Sequence, residues 1–229
     1  MVMLSEALRS CGREMVLSLS PGPAILDKAE LYKQVSNMWR ITDDFWDDWK
    51  LLYNMFERAE KWSIHTGQGN YPDADMLPVG PIRQCYDPDA VTKFTEDEQM
   101  TMMTLWAIMR SPLMIGGEMT KFDEFTYKLL TNTGILDMHK NARHSHQVYR
   151  REVNGVETVL WTGASAKGGQ YVAVFNIGDR DNQVEISLDD LEWDNKATAT
   201  EMWTGESLTW DDGVKISLPA HGAKAYYFE

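Results

Sequence analysis

The chain has 229 residues, of which 43% are hydrophobic and 25% charged, a composition that suits a globular protein of one large domain or two smaller ones. Its formal net charge of −13 repels the phosphates of nucleic acids, so we exclude nucleic-acid binding. The sequence contains no run of about 18 apolar residues, so we also expect no membrane-spanning helix and no membrane partner.

The first half of the chain alternates short apolar segments with longer helical patterns. We predict strands at residues 15–20, 38–42, 62–65 and 113–115, the first of them ended by Pro21. We predict helices at residues 27–36, 44–60, 95–110 and 122–139, and a long loop over residues 66–94. Strands and helices that alternate at this spacing predict βα units and a parallel sheet.

Two of these helices carry additional signals. In the helix at residues 44–60, hydrophobic side chains recur at three- and four-residue intervals, as on a face packed against a core: Phe45, Trp49, Leu52 and Phe56. Thr95 and Glu98 have the spacing of a capping box, in which each side chain satisfies a free backbone amide of the first turn. Four methionines of this second helix are expected to pack in the interior rather than line a binding groove: Met100, Met102, Met103 and Met109.

After residue 146 the pattern changes to short alternating strands. We predict them at residues 148–153, 158–162, 171–177, 183–188, 198–203, 214–218 and 224–228. Asn154 and Gly155 join the first pair with a strong hairpin signal. The sequence therefore predicts two domains, residues 1–145 with a parallel sheet and residues 146–229 with an antiparallel β-sandwich.

The strand at residues 38–42 ends in two adjacent carboxylates, Asp43 and Asp44, and a helix pattern follows at once. Acidic residues at the C-terminal end of a strand lie where barrel enzymes place their chemistry. Arg40 supplies a cation at the same strand end, and the set suits the binding and protonation of a polyhydroxylated ligand. The alternative is that both carboxylates only cap the following helix, where acidic residues are favoured.

Four segments, in one order along nearly the whole chain, resemble glycoside hydrolase family 27, the family of α-galactosidases and α-N-acetylgalactosaminidases. They are Trp39-Arg40-Ile41-Thr42-Asp43-Asp44, Asp73-Ala74-Asp75-Met76-Leu77, Leu105-Trp106-Ala107-Ile108-Met109-Arg110-Ser111-Pro112-Leu113-Met114 and Leu218-Pro219-Ala220-His221-Gly222-Ala223-Lys224. The resemblance implies an α/β fold: the second half of a (β/α)8 barrel, strands five to eight, followed by a C-terminal antiparallel β-sandwich domain. The family's first four strands have no counterpart, and neither has the Lys-x-Asp strand end that supplies the nucleophile.

The family's reaction is retaining glycoside hydrolysis by two carboxyl groups about 5 Å apart. By its position four residues after Arg40, Asp44 matches the family's acid/base. The resemblance implies that Arg40 and Asp75 bind sugar hydroxyls and that Met76 lies under the sugar ring. Arg40 could also form a salt bridge with Asp43 or Asp44.

Other residues near these matches have different expected roles. We expect Asp73 to hold its own loop, with a metal site formed by Asp73 and Asp75 as the weaker alternative. His144 and His146 are expected in a solvated turn or strand start rather than a metal site. We expect no cofactor.

The identity of the sugar depends on the end of the fifth strand, where this sequence departs from the family. Many α-galactosidases have a Cys-Glu-Trp-like run there, whereas this chain has Leu19, Ser20, Pro21 and Gly22. Ser20 resembles the N-acetylgalactosaminidase pattern, in which a small residue leaves room for an acetamido group. A terminal α-galactoside is thus the first expectation, with an α-N-acetylgalactosaminide or a β-L-arabinopyranoside as alternatives.

The resemblance implies a galactose-containing oligosaccharide or glycoconjugate as the substrate. It also implies that the chain is a fragment, inactive alone, whose partner is the missing N-terminal half-barrel or a second copy through self-association. A non-catalytic carbohydrate-binding protein or an inactive remnant is the alternative. No signal peptide is visible, and secretion or export to the periplasm would require a signal in the missing segment.

Overall fold

The computed structural model describes residues 1–20, 22–193, 196–211 and 213–229. Three short parallel strands form the sheet of the first half and lie side by side in chain order: β1 (Ser18–Leu19), β2 (Met38–Arg40) and β3 (Tyr71–Asp73). A single parallel bridge joins Leu77 to Ile115 beyond β3. The helices are α1 (Val2–Ser10), α2 (Ala29–Val35), α3 (Trp49–Ser63), α4 (Glu96–Met109), α5 (Glu124–Thr131) and α6 (Thr133–Asn141). This alternation is the second part of a (β/α)8 barrel, as the sequence predicts.

The strand predicted at residues 62–65 is wrong, and the seventh barrel strand is β3 instead. Trp62 and Ser63 form the last turn of α3. Trp62 continues the buried face of this helix after Met55 and Ala59, at four- and three-residue intervals. A buried aromatic residue near the end of a helix therefore resembled the start of a strand.

β3 lies inside the segment predicted as a loop because Pro72 occupies its centre, and proline is depleted in strands. Its ladder with β2 uses the residues on either side of the proline. Tyr71 N donates to Asn37 O at 2.9 Å, and Ile41 N donates to Asp73 O at 2.9 Å. The backbone nitrogen of Pro72 faces away from β2, so the proline removes no hydrogen bond from this ladder.

The helix predicted from residue 44 begins at Trp49, and Asp48 is its N-cap residue, with Oδ1 accepting from Lys50 N at 2.8 Å. The alternative in which Asp43 and Asp44 cap this helix is therefore wrong. The intervening residues form an irregular segment that follows β2.

Three other predicted elements differ from the structure. The helix predicted at residues 122–139 is divided into α5 and α6 by Asn132, whose side chain accepts from Ile135 N at 2.9 Å as the N-cap of α6. The strand predicted at residues 113–115 contributes only the bridge of Ile115. Of the strand predicted at residues 15–20, only Ser18–Leu19 is extended in a ladder, and Pro21, expected to end it, lies outside the described residues.

The second half is an antiparallel β-sandwich, which confirms the predicted architecture. Its strands are β4 (Ala142–Val153), β5 (Val156–Ser165), β6 (Gln170–Asn176), β7 (Asn182–Ser187), β8 (Ala197–Glu201), β9 (Ser207–Trp210), β10 (Gly213–Leu218) and β11 (Ala223–Phe228). One sheet has the order β4-β5-β6-β11-β8-β9, and β7 pairs with β10 in the other. Asn154 and Gly155 have φ values of 53° and 71°, which confirms the tight hairpin between β4 and β5. The sequence patterns did not predict β9 or α1.

The two halves share a hydrophobic core because β5 and β6 bury both faces. Trp161 and Phe175 pack in the cluster that contains α4, whereas Val172 and Val174 pack in the sandwich core. The even alternation of strand side chains therefore serves two different cores.

α4 lies at the centre of this arrangement and is buried on nearly all sides. Met102, Met103 and Met109 are at most 1% exposed, which confirms that they pack in the protein interior. The predicted capping box is present: Thr95 Oγ1 accepts from Glu98 N at 3.2 Å, and Glu98 Oε2 accepts from Thr95 N at 2.9 Å. No helix in the described part of the chain combines the length and apolarity needed to cross a bilayer.

Candidate active site

The C-terminal edge of the parallel sheet brings four of the five predicted site residues into one cluster. Arg40 is the last residue of β2, and its Nη2 lies 3.0 Å from Asp44 Oδ1 and 3.0 Å from Asp75 Oδ2. Its Nη1 donates to Ser20 Oγ at 3.4 Å. The guanidinium therefore connects residues that follow β1, β2 and β3.

Met76, the fifth predicted residue, follows Asp75 and packs against a neighbouring glycine. A Cβ atom at Gly116 would lie 2.6 Å from Met76 Sδ, so the thioether packs directly against the backbone of this glycine. Met76 is thus held between the loop after β3 and the segment that follows Ile115. Its predicted place under a sugar ring stays a prediction.

The loop after β3 is fixed by hydrogen bonds to its own backbone and to α4. Asp75 has a φ of 77°, in the left-handed region that aspartate tolerates better than most residues. Asp73 Oδ1 accepts from Asp75 N at 2.8 Å, which confirms that Asp73 holds its own loop. Trp106 Nε1 donates to Asp75 O at 3.1 Å, and Ala74 N donates to Ser111 Oγ at 2.9 Å.

Burial differs sharply within the cluster. The side chains of Arg40 and Asp75 are 12% and 16% exposed, whereas that of Asp44 is 85% exposed. Nε of Arg40 is buried and has no hydrogen-bond partner among the described residues. Asp73 is almost fully buried, and this burial raises the pKa of its carboxyl group. Arg40 and Asp75 thus form the buried floor of the cluster, and the carboxylate of Asp44 projects from this floor into solvent.

A second ion pair supports the irregular segment between β2 and α3. Asp47, two residues before Trp49, is buried and forms a two-pronged pair with Arg83, with 2.8 Å between Arg83 Nη2 and Asp47 Oδ2. Burial alone would raise the pKa of Asp47, but the hydrogen bonds from Arg83 and from Lys93 N outweigh it and lower the pKa. The sequence analysis missed this pair because its partners are 36 residues apart.

Other candidate groups are not part of this cluster. The residues Lys121-Phe122-Asp123 have the Lys-x-Asp spacing but do not end a strand. Asp123 is instead the N-cap residue of α5 and accepts from Thr126 N at 2.7 Å. His144 and His146 are exposed near the start of β4, as expected. Among the described residues, no three His, Cys, Asp or Glu side chains form a group that could hold a metal ion.

Comparisons with known proteins identify the family of this chain. The family model described as "Alpha galactosidase A" matches residues 1–141, and the one described as "Alpha galactosidase C-terminal beta sandwich domain" matches residues 156–228. The first match alone covers more than half of the chain.

Two solved structures and one further relative resemble the chain over nearly its whole length. A family 27 β-L-arabinopyranosidase from Geobacillus stearothermophilus is 46% identical with a TM-score of 0.93, covering 99% of this chain and 52% of that one. A candidate α-N-acetylgalactosaminidase from Bacillus halodurans is 40% identical with a TM-score of 0.82, covering 99% and 52%. Alpha-galactosidase 2 of Arabidopsis thaliana is 25% identical over 232 residues, covering 97% and 54%. The chain spans about half the length of these relatives, and it belongs to glycoside hydrolase family 27.

Proposed function

We propose that this chain supplies the acid/base half of a retaining glycosidase that acts on terminal sugars of the galactose configuration. The observation that carries the proposal is the contact of one guanidinium, that of Arg40, with both Asp44 and Asp75 at the C-terminal edge of a parallel sheet. Barrel enzymes place their substrates at this edge. The exposed carboxyl of Asp44 protonates the departing oxygen and later accepts a proton from water, as retaining hydrolysis requires.

Arg40 and Asp75 bind the hydroxyl groups of the sugar in this proposal. One oxygen of Asp75 is occupied by Arg40 and by the backbone amide of Phe45, which leaves Oδ1 for a sugar hydroxyl. Directed hydrogen bonds between charged groups and vicinal hydroxyls discriminate among sugars by the orientation of each hydroxyl.

Three sugars fit this pattern: α-galactose, α-N-acetylgalactosamine and β-L-arabinopyranose. β-L-arabinopyranose has the ring configuration of galactose without the hydroxymethyl group. Ser20, the small residue beside Arg40, is the position at which we expect the sugars to be distinguished. The relatives named for arabinopyranosidase and N-acetylgalactosaminidase activity support assays with all three glycosides.

The nucleophile comes from a segment other than these residues. β1 has only β2 as a neighbour among the described strands, so its other edge can accept a further strand. Apolar side chains close to β1 in the sequence are exposed, with Val16 73% and Ile25 62% exposed. A half-barrel that contributes the Lys-x-Asp strand end would cover this edge and place a second carboxylate opposite Asp44.

The test uses the 229-residue chain alone and the chain co-expressed with the N-terminal half-barrel of its Geobacillus stearothermophilus relative. The p-nitrophenyl derivatives of the three sugars serve as substrates. We expect no turnover by the chain alone and turnover of at least one glycoside by the co-purified complex. Turnover by the chain alone would refute the need for a second segment, and a stable but inactive complex would refute the catalytic assignment.

A further inference from the structure

A cavity of about 430 Å³ lies at the end of β3 opposite to the candidate active site. Tyr71, the first residue of β3, lines it together with the loop that follows α3. Arg110 contributes from the end of α4, and Arg143 and His144 from the start of β4. The cavity therefore lies where the barrel sheet meets the sandwich.

The two arginines in this cavity have no carboxylate partner in the described part of the chain. Arg110 Nε donates to His139 O at 3.2 Å. Arg143 Nη1 donates to Lys140 O at 3.0 Å and to Ala142 O at 2.8 Å. In a chain with a net charge of −13, two half-buried guanidinium groups without a negative side chain are an unusual local excess of positive charge.

The two positive charges also affect each other. Burial lowers the pKa of Arg110, and the charge of Arg143 lowers it further. Like charges that repel in a partly desolvated place cost folding free energy unless an anion neutralises them. Cζ of Arg110 lies 5.5 Å from the centroid of the Tyr71 ring. This cation–π contact holds the guanidinium in place beside the cavity.

The backbone at this cavity is strained at two positions. Arg110 has a φ of 61° and His144 a φ of 53°, although neither is the glycine or asparagine that usually occupies the left-handed region. Arg110 is the C-cap residue of α4, a place where glycine would form the same turn at lower cost. A strained backbone of this kind is retained when the side chain at that position has a role that glycine could not fill.

A purely structural role would be that the arginines stabilise the negative C-terminal end of α6. This role accounts for the bonds to His139 O and Lys140 O. It leaves the terminal N–H groups of Arg110 with the side chain of Tyr71 as their one partner among the described residues.

We propose that this cavity binds a phosphate group, either as the free dianion or as the phosphoryl group of a small sugar. The forked donors of arginine match the oxygens of phosphate. The hydroxyl of Tyr71 supplies a further donor, and the cavity volume accommodates more than a single phosphate. This site is separate from Asp44 and Asp75 and does not depend on the glycosidase proposal.

The test measures binding to the 229-residue chain without any assay of hydrolysis. The thermal unfolding midpoint is recorded against the concentration of sodium phosphate, galactose 6-phosphate and galactose, with sodium chloride at matched ionic strength. We expect a saturable rise with phosphate and no rise with galactose or chloride. Tighter binding of galactose 6-phosphate would identify a sugar-linked phosphate, and equal binding would identify the free anion.

Substitutions then locate the site. Arg143→Gln and Arg110→Gln should each weaken phosphate binding roughly tenfold, because each removes a charge-assisted hydrogen bond. The matched control is Arg180→Gln, since Arg180 also donates only to backbone carbonyls, those of Asn154 and Gly155. Because Arg110→Gln could disturb the end of α4, Arg143→Gln decides the outcome if the first variant does not fold. A phosphate effect equal to that of chloride, or unchanged in Arg143→Gln, would overturn the proposal.

Discussion

The backbone amide of Phe45 donates a hydrogen bond of 2.7 Å to Oδ2 of Asp75. The same oxygen lies 3.0 Å from Nη2 of Arg40, which in turn contacts Asp44. Because Phe45 directly follows Asp44, Asp75 fixes both the backbone beside the proposed acid/base and the cation that contacts it. The position of Asp44 thus depends on a loop 30 residues further along the chain.

This relationship gives Asp75 two separable roles. Asp75→Ala removes the acceptor for Phe45 N and the partner of Arg40, whereas Asp75→Asn retains an oxygen for the amide and removes only the charge. We expect the heat of galactose binding to the chain, measured by titration calorimetry, to be lost in Asp75→Ala and reduced in Asp75→Asn. Asp43→Ala is the control because Asp43 is an exposed neighbour outside the arginine contacts. Undiminished binding by Asp75→Ala would contradict the role in sugar recognition.

The acid/base role of Asp44 predicts a dependence on the leaving group in the active complex. Asp44→Ala should lower the rate on glycosides with a poor leaving group roughly 10²–10⁴-fold, because proton donation to the departing oxygen is lost. Dinitrophenyl glycosides need little protonation, so their first step should be affected much less, and azide should restore turnover by replacing water. Steady-state rates on the two substrate classes make the comparison, with Asp43→Ala as the control. An equal loss on both classes would show that Asp44 does not act as the acid.

A local pattern predicted part of the cluster, because Arg40 and Asp44 lie four residues apart at a strand end. Asp75 was assigned to the site only by the family resemblance, since the strand that precedes it was predicted at residues 62–65. The connection between them could not be read locally, because Arg40 and Asp75 are joined only by the fold.

Some of the mispredicted elements depend on contacts with distant parts of the chain. β3 forms in spite of Pro72 because its neighbour β2 needs only the flanking residues for hydrogen bonds. Trp106 and Ser111 support the loop of Asp75 from 31 and 37 residues away. No propensity or periodicity within a single segment reports such contacts.

The contact of His221 with Glu98 predicts a stabilising role between the two halves. His221 Nδ1 lies 2.7 Å from Glu98 Oε1 and its Nε2 lies 3.0 Å from Asp179 Oδ1, while its ring stacks on Trp49 with centroids 3.6 Å apart. Asparagine tolerates the observed φ of 58°, so His221→Asn removes the stacking on Trp49 without straining the backbone. We expect the free energy of unfolding to fall by about 2 kcal/mol, measured by chemical denaturation.

Asp179→Asn is the matched control for this contact, because the Asp179 side chain is 95% exposed and its pair should add little. If the halves depend on His221, its substitution should also separate their unfolding into two transitions seen by different probes. A single transition at the wild-type midpoint would show that the shared core of α4, β5 and β6 is sufficient.

His139 predicts how stability depends on pH. It is largely buried, with Nε2 2.8 Å from Ser111 O, and burial lowers the pKa of its ring. The charge of Arg110 lowers this pKa further, against the effect of the Ser111 carbonyl. The folded pKa therefore lies below the unfolded value of about 6.5, and the unfolded chain takes up the proton first.

The contribution of His139 is thus complete above about pH 6.5 and is lost as the pH falls below it. We expect His139→Gln, which can still donate to Ser111 O, to reduce the fall in unfolding free energy between about pH 7 and about pH 5. Denaturant titrations at both pH values make the measurement. Burial also lowers the pKa of His65, so a smaller slope of the same sign should persist in the variant. A slope in His139→Gln equal to that of the wild type would mean that His139 can be protonated in the folded protein without loss of stability.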